Sequence, residues 1–223
     1  MKTYLDKNVY EAALERIAYC FQEFDNVLVA FSGGKDSGVM LNLCYDYANE
    51  HGLLDKLTMY HLDYEAQYQM TTEYVTRTFL EQFPGIRKMW YCVPIKAQSA
   101  CALGEPYWTP WDAAKKKLWV RAMPENPYVV HEGNLDVPFR HGMVDYEFQD
   151  KLSRHFAKKR GTTAVMVGLR ADESLNRYAA VARGKKRRSY EGRKWITQTS
   201  AVTANVYPLY DWRVSDIWTA TAR

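Results

Sequence analysis

The stretch FSGGKDSGVM, residues 31–40, follows directly on the apolar run Val27–Phe31 and decides how the rest of the chain is interpreted. The run is short, apolar and rich in valine, which is typical of a buried β-strand. Ser37–Glu50 then has a helical pattern that ends before Gly52. Two glycines between these elements allow the backbone to turn tightly. We therefore expect a strand, a tight loop at residues 32–37 and a helix.

The residue types in this loop suit a phosphate group. Gly33 and Gly34 let backbone N–H groups approach an anion closely, and Ser32 and Ser37 add hydroxyl donors. Lys35 supplies a full positive charge, and the start of the helix adds the positive end of its dipole. We predict that this loop binds the phosphates of a nucleotide. The alternative is a Gly-Gly strand-to-helix turn with a serine cap.

The two most familiar nucleotide-binding loops are absent from the chain. Neither Gly-x-x-x-x-Gly-Lys-Ser/Thr nor Gly-x-Gly-x-x-Gly occurs, so phosphoryl transfer of the kinase type and dinucleotide binding lose support. Asp36 lies beside the expected phosphates, where a carboxylate helps to hold Mg²⁺ together with phosphate oxygens. It is equally suited to capping the helix, so both roles stay open.

The rest of the chain alternates between helical and strand patterns. Helices are predicted at 8–24, Thr71–Phe83 and Asp145–Arg160, and strands at Leu57–Leu62, Lys88–Val93, Ala164–Val167 and Val202–Tyr207. This alternation predicts one α/β domain over residues 1–223, with a doubly wound, mainly parallel sheet. Ligands of such sheets bind beyond the carboxyl ends of the strands, which is where the glycine loop falls.

Residues 95–144 break this alternation. Five of the eight prolines of the chain fall here together with Trp108, Trp111 and Trp119, and neither period holds for long. A segment of this length without regular structure is uncommon in a compact domain and usually has a structural or functional role. We expect an insertion or lid that either packs its aromatic side chains on the core or covers a site.

Four motifs resemble one superfamily. Ser32-Gly-Gly-Lys-Asp-Ser37 resembles the pyrophosphate loop (PP-loop) of the adenine nucleotide α-hydrolases, and three stretches narrow the branch: His61-Leu-Asp-Tyr64, Gly168-Leu-Arg-Ala-Asp-Glu-Ser174 and Tyr207-Pro-Leu-Tyr-Asp-Trp-Arg-Val-Ser-Asp-Ile-Trp218. These are similar to motifs of phosphoadenosine phosphosulfate (PAPS) reductases and sulfate adenylyltransferase small subunits. The resemblance implies an adenine nucleotide α-hydrolase-like fold and cleavage of ATP between its α and β phosphates.

The resemblance also implies roles for Arg170 and Asp63. Arg170 would grip a phosphate and stabilise the leaving pyrophosphate, unless it forms a structural salt bridge with Asp172 or Glu173. Asp63 would meet the ribose or adenine, unless the strand backbone does so while Asp63 caps a turn. We interpret His61 as a packed strand residue rather than a catalyst.

The charge of the chain is concentrated in one segment. The formal net charge is +4, and Arg183–Lys194 holds seven basic residues against Glu191 alone. Because the segment follows the Arg170 motif, we favour a loop that closes over polyphosphate. Solvated surface and nucleic-acid contact, the latter strongly salt-dependent, stay open as alternatives.

The cysteines argue against reduction of a sulfonucleotide. Cys101 is the last of four, no Cys-x-x-Cys spacing exists for a zinc site or iron–sulfur cluster, and PAPS reductases use a cysteine near their C-terminus. We expect instead a nucleotidyltransferase that uses ATP and Mg²⁺ to adenylylate sulfate or another acceptor. Lys35 and Arg170 would be catalytic, and a protein partner stays open. The alternative is a non-catalytic module that binds an adenine nucleotide or sulfonucleotide and touches nucleic acid.

No part of the sequence is expected to enter a membrane. No stretch approaches the ~20 unbroken apolar residues that cross a bilayer, and the N-terminal residues lack the apolar core of a signal peptide. We therefore expect a cytoplasmic protein.

Overall fold

The structure is a computed structural model that describes residues 6–99, 104–182 and 189–222. The strands are β1 (Asn26–Ala30), β2 (Leu57–Leu62), β3 (Arg87–Cys92), β4 (Ala97–Gln98), β5 (Tyr107–Trp108), β6 (Val129–His131), β7 (Thr163–Val167), β8 (Ser189–Tyr190), β9 (Arg193–Gln198) and β10 (Thr203–Val206). Eight of them form one sheet in the order β6-β3-β2-β1-β7-β10-β9-β8, while β4 and β5 pair separately. The six strands from β6 to β10 in that order run parallel, β9 pairs antiparallel with β10, and β8 pairs antiparallel with β9.

Helices cover both faces of this sheet. They are α1 (Val9–Glu23), α2 (Lys35–Glu50), α3 (Gln69–Glu81), α4 (Asp145–Arg160), α5 (Leu175–Ala182) and α6 (Val214–Thr221). Apolar residues of α1, α2, α3 and α6 pack in one core cluster, and α4 packs in a second cluster that includes Leu28 and Tyr60. The alternation of side chains along a strand separates the two faces, since Val27 and Val29 belong to the first cluster. The predicted doubly wound, mainly parallel α/β sheet is confirmed.

Helix α2 begins two residues earlier than the sequence pattern suggested. Its N-cap is Gly34, which is extended and makes no side-chain capping bond, so Lys35 and Asp36 already belong to the first turn. Glycine is one of the residues favoured at the N-cap of a helix. The correction matters because it places the charged side chains of the motif on the helix rather than on the loop before it.

The segment 95–144 is more than an insertion. Val129–His131 forms β6 and pairs in parallel with β3, so this part of the segment extends the main sheet. The strand was missed because its three residues are too few for a period-2 pattern to be seen. Other parts pack on the core, since Trp111 is 3% exposed and belongs to the first core cluster.

Besides the two-residue strands β4, β5 and β8, three longer elements were not predicted from the sequence. Strand β9 is an antiparallel strand beside β10, and its residues alternate too weakly between buried and exposed to give a clear pattern. Helices α5 and α6 have only eight residues each, below the length at which helical periodicity is distinctive. Among the described residues, no helix combines the length and apolar character that a bilayer crossing requires.

The parallel strands bring the candidate residues to one edge of the sheet. Strand β1 lies between β2 and β7, and all three run in the same direction. The residues that follow them, Ser32, Asp63 and Gly168, therefore lie along the carboxyl edge of adjacent strands. This edge is where a doubly wound sheet binds its ligands.

Candidate nucleotide site

The backbone of the glycine loop has a shape that only glycine tolerates at one position. Gly33 has a φ of +80°, and a Cβ built there would lie 2.7 Å from Cγ2 of Val75 and 3.0 Å from Cγ2 of Thr71. Gly34 is different, because its φ is negative and the nearest atom to a Cβ would be Oγ of Ser32 at 3.4 Å. The loop thus depends on Gly33 for both its turn and its close packing on α3.

The two serine hydroxyls hold this loop in place. The backbone N–H of Ser32 donates to Oγ of Ser37 over 3.1 Å, and that hydroxyl donates to the carbonyl of Gly34 over 2.9 Å. The Ser32 hydroxyl accepts from the N–H of Gly34 at 3.3 Å. Because the first N–H groups of a helix have no acceptor within it, those of Lys35 and Asp36 are available to an anion.

Lys35, Asp36 and Arg170 meet at the start of α2. Nε of Arg170 donates to Oδ1 of Asp36 over 2.6 Å, and Nζ of Lys35 donates to Oδ2 of the same carboxylate over 3.0 Å. A second carboxylate, Asp172, accepts from Nη1 of Arg170. The Arg170 side chain is 5% exposed and that of Lys35 is 34% exposed. The structure therefore brings the two predicted cations together on one carboxylate, and it also contains the Arg170–Asp172 pair left open as an alternative.

Gly168 is a residue of this site that the sequence reasoning did not single out. A Cβ at Gly168 would lie 2.9 Å from the backbone nitrogen of Ser37 and 3.0 Å from the carbonyl carbon of Asp36. The end of β7 therefore lies directly against the first turn of α2, where Arg170 can reach Asp36. The signal was present in the sequence, because Gly168 opens the Gly-Leu-Arg-Ala-Asp-Glu stretch.

Asp63 is buried and its carboxylate is fully engaged with the protein. The residue is 0% exposed. Its oxygens accept from Nε1 of Trp90 at 2.7 Å, from Nη2 of Arg121 at 2.6 and 2.7 Å, and from the N–H of Glu65 at 2.7 Å. The last bond is the turn-capping role that was left open as an alternative. A contact of Asp63 with ribose or adenine stays a prediction. The arrangement does not favour it, because the carboxylate oxygens already accept hydrogen bonds from Trp90, Arg121 and Glu65.

Glu65 and Asp63 together fasten the segment 111–121 to the end of β2. Glu65 is 4% exposed, has a φ of +64°, and accepts from the N–H groups of Trp111 at 2.9 Å and Val120 at 2.8 Å. Nε1 of Trp111 donates to the carbonyl of Asp63 over 2.9 Å, and the guanidinium of Arg121 lies 4.9 Å from the Trp111 ring centre. Sequence reasoning missed Glu65 and Arg121, because buried pairing across more than 40 residues leaves no local pattern.

His61 packs inside the protein, as expected. It is 0% exposed, and its ring stacks edge-on against Trp90 with centroids 5.6 Å apart. Nδ1 lies 2.8 Å from the carbonyl of Phe31, so the neutral ring is assigned with its proton on that nitrogen. Burial lowers the pKa of His61 below its usual value. The imidazole thus supports the backbone directly before the glycine loop and is not exposed to a substrate.

An open cavity of about 620 Å³ adjoins the loop. It is lined by Ala66, Gln67, Tyr68, Thr71 and Val120. Thr71 contacts the position of Gly33, so the cavity lies directly beside the turn. One wall thus comes from the loop side of α3 and the other from the segment fastened by Glu65.

Comparisons with known proteins agree with this geometry. Residues 26–223 match the family described as "Phosphoadenosine phosphosulfate reductase domain". The chain belongs to this family. It is 34% identical over 218 residues to the protein YbdN of Escherichia coli (strain K12), covering 96% of this chain and 52% of that protein, so it spans about half the length of this curated relative.

The fold is also that of a solved family member. A crystal structure of PAPS reductase from Candida auris, in a phosphate complex, superposes with a TM-score of 0.50 and 14% sequence identity, covering 99% of this chain and 87% of that one. The predicted resemblance to the PAPS reductase family is therefore confirmed. Family and fold support nucleotide binding by this chain.

The described cysteines of this PAPS reductase family member are not suited to attack. Cys20, Cys44 and Cys92 are all buried. Burial raises the pKa of each thiol well above its usual value, and the neighbouring Asp63 adds to this effect at Cys92. Thiolate is the reactive form, so these three are structural. Cys101 lies outside the described residues.

Half of the basic run, with five of its seven basic residues, also lies outside the described residues, which exclude 183–188. At its end, Nη1 of Arg193 pairs with Glu191 over 2.5 Å, and its guanidinium lies 4.1 Å from the ring centre of Tyr19 on α1. Closure of the run over polyphosphate stays a prediction.

Proposed function

We propose that this chain is a PP-loop ATP pyrophosphatase that cleaves ATP between its α and β phosphates and adenylylates an acceptor. The observation that carries the proposal is the convergence of Lys35 and Arg170 on Asp36 at the N-terminal turn of α2, beside a loop that requires Gly33. Amides, hydroxyls and two cations around one turn suit a triphosphate. The open cavity beside Gly33 has room for the rest of the nucleotide.

The proposed reaction is a displacement at the α-phosphorus. An acceptor oxygen forms a bond to that phosphorus while the bond to the bridging oxygen breaks, and pyrophosphate leaves with the electron pair. The loop amides and the Ser32 hydroxyl hold the β and γ phosphates, and Lys35 moves from Asp36 to the phosphate oxygens. Arg170 stays between Asp36 and Asp172 and stabilises the negative charge of the leaving group.

ATP and Mg²⁺ are proposals, and the donor set fits the metal only in part. Among residues 6–99, 104–182 and 189–222 there is no cluster of three His, Cys, Asp or Glu side chains that could hold an ion. Mg²⁺ is often held by one carboxylate together with phosphates, and Asp36 is suitably placed for that. Bound there, Mg²⁺ would supply charge neutralisation of the phosphates. Asp36→Asn should then weaken the Mg²⁺ dependence of ATP binding, measured by calorimetry with and without Mg²⁺.

Release of pyrophosphate from α-labelled ATP tests the reaction. The wild-type protein is incubated with Mg²⁺ and a panel of acceptors that begins with sulfate and other oxyanions. Lys35→Ala and Arg170→Ala should each reduce release about 100-fold or more, because each removes charge that stabilises the leaving group. Lys158→Ala is the matched control, since this lysine is exposed in the last turn of α4. Unchanged release in Lys35→Ala would contradict the proposal.

A second candidate is a binding module that does not turn nucleotide over. Lys35 and Arg170 carry two positive charges, while Asp36 and Asp172 carry two negative ones, so the quartet is formally neutral. A neutral cluster binds a nucleotide without strongly favouring the charge that develops on leaving pyrophosphate. Calorimetric binding of ATP or a sulfonucleotide, with no release for any acceptor, would favour this candidate.

A further inference from the structure

A basic turn at the surface shortly precedes Val120, which lines the open cavity. Residues Ala113–Leu118, named here the lysine turn, form a 3₁₀ segment with a kink at Lys115, and Asp112 caps it by accepting from the N–H of Ala114 at 3.0 Å. The turn is held at both ends, because Glu65 accepts from the N–H groups of Trp111 and Val120. Buried acceptors thus fix an exposed surface segment at the carboxyl edge of the sheet.

The lysine turn carries positive charge that no carboxylate of residues 6–99, 104–182 or 189–222 pairs with. Lys115, Lys116 and Lys117 are consecutive and exposed. The ion pairs found for lysines in the described part of the chain involve Lys7, Lys35, Lys151 and Lys159 instead. Nζ of Lys116 lies 5.7 Å from the ring centre of Trp119, which leaves all three ammonium groups open to an external anion.

Exposed apolar side chains adjoin these lysines. Leu118 is 78% exposed and Val120 is 69% exposed. Across the open cavity, Tyr68 is 87% exposed, and it lines the same walls as Val120. An exposed tyrosine ring on one side of the cavity, and a cluster of lysines shortly before Val120 on the other, are the kinds of group that bind single-stranded nucleic acids, with bases on the ring and phosphates on the cations.

We propose that the lysine turn and Tyr68 form a binding surface for single-stranded nucleic acid along the rim of the nucleotide cleft. Lysine acts as a point charge for phosphates, so the three ammonium groups follow successive phosphates without reading sequence. An unpaired base can stack on Tyr68, whereas a base in a duplex would first have to leave its own stack of base pairs. The surface lies outside the glycine loop and does not depend on nucleotide turnover.

Fluorescence anisotropy with a labelled mixed-sequence RNA of about 20 nucleotides tests the surface. Three phosphate contacts on a single strand give a slope of log K against log salt of about −2, so affinity should fall about 20-fold between roughly 50 and 200 mM salt. The triple variant K115Q/K116Q/K117Q should remove most of this slope. Tyr68→Ala should lower the affinity about fivefold or more and leave the slope unchanged.

A triple variant at the opposite edge of the sheet is the matched control. R87Q/K158Q/R160Q removes the same charge from exposed residues at the start of β3 and the end of α4, and it should keep wild-type binding. Equal losses in the two triple variants would mean nonspecific charge attraction and overturn the proposal. Stronger binding to duplex DNA, or to vesicles with one part phosphatidylserine in four, would overturn it as well.

One further variant separates this surface from the proposed reaction. Lys35→Ala should abolish pyrophosphate release and keep RNA binding, whereas K115Q/K116Q/K117Q should keep ATP binding and lose RNA binding. If the RNA affinity of Lys35→Ala falls as far as that of the lysine variant, the polyanion occupies the glycine loop and the separate surface does not exist.

Discussion

The glycine loop and the segment 95–144 lie at the same edge of the sheet but are held in different ways. Residues 32–37 are shaped largely by neighbours in sequence, through the φ of Gly33 and the bonds between Ser32, Gly34 and Ser37. The segment 111–121 is instead fixed by Asp63 and Glu65, which precede it by more than 40 residues. Hydrogen bonds between neighbours in sequence produce a motif that can be recognised from the sequence. Buried hydrogen bonds between distant residues, such as those that hold the segment 111–121, leave no such motif.

The largest expected effect comes from removing the distant anchor. Asp63→Ala leaves Arg121 and the indole N–H of Trp90 without their buried acceptor. Breaking one side of a buried charge pair costs about 3–5 kcal/mol, so the free energy of unfolding in urea should fall by that amount. The double variant D63N/R121Q removes both charges and should recover a large part of the loss. A loss below about 1 kcal/mol for Asp63→Ala would mean that the segment is held by other contacts.

A smaller effect is expected at the loop itself. Gly33→Ala forces a Cβ to a φ of +80° and to within 2.7 Å of Val75, which should cost about 2–3 kcal/mol of unfolding free energy. Gly34→Ala is the control for backbone strain, because its φ is negative and its Cβ would meet only Oγ of Ser32 at 3.4 Å; it should cost no more than about 1 kcal/mol, for the less favourable N-cap. Val75→Ala in the Gly33→Ala background should relieve the contact but not the backbone strain. If both glycine variants are equally stable, the conformation of Gly33 does not define the loop.

The difference between the two regions also explains what the sequence could predict. The first sheet strand, the glycine loop and helix α4 follow local rules of period, glycine and capping, and α4 was predicted with the correct bounds at Asp145–Arg160. The meeting of Lys35 and Arg170 followed from parallel topology, because adjacent strands end at the same edge.

The parts that were missed depend on tertiary contacts. Strand β6 exists because β3 offers it a free edge, and its three residues carry no signal of their own. The role of Asp63 was weighed as a ligand or a turn cap, yet its carboxylate also binds Trp90 and Arg121, which only the fold brings near. A buried carboxylate and a ligand-binding one look alike in sequence.

The smallest effect is a pH dependence that originates at His61, beneath the loop. Because burial lowers its pKa in the folded state, the unfolded chain takes up a proton more readily once the pH falls below the usual histidine value of about 6.5. The free energy of unfolding should therefore be highest above that pH. As the pH is lowered further, it should decrease by at most about 1.4 kcal/mol per pH unit. Urea unfolding at about pH 7.5, 6.5 and 5.5 measures the slope. His61→Gln should flatten the slope of unfolding free energy against pH, whereas His131→Gln, at an exposed position, should leave it unchanged. Equal slopes in the two variants would mean that groups other than His61 cause the pH dependence.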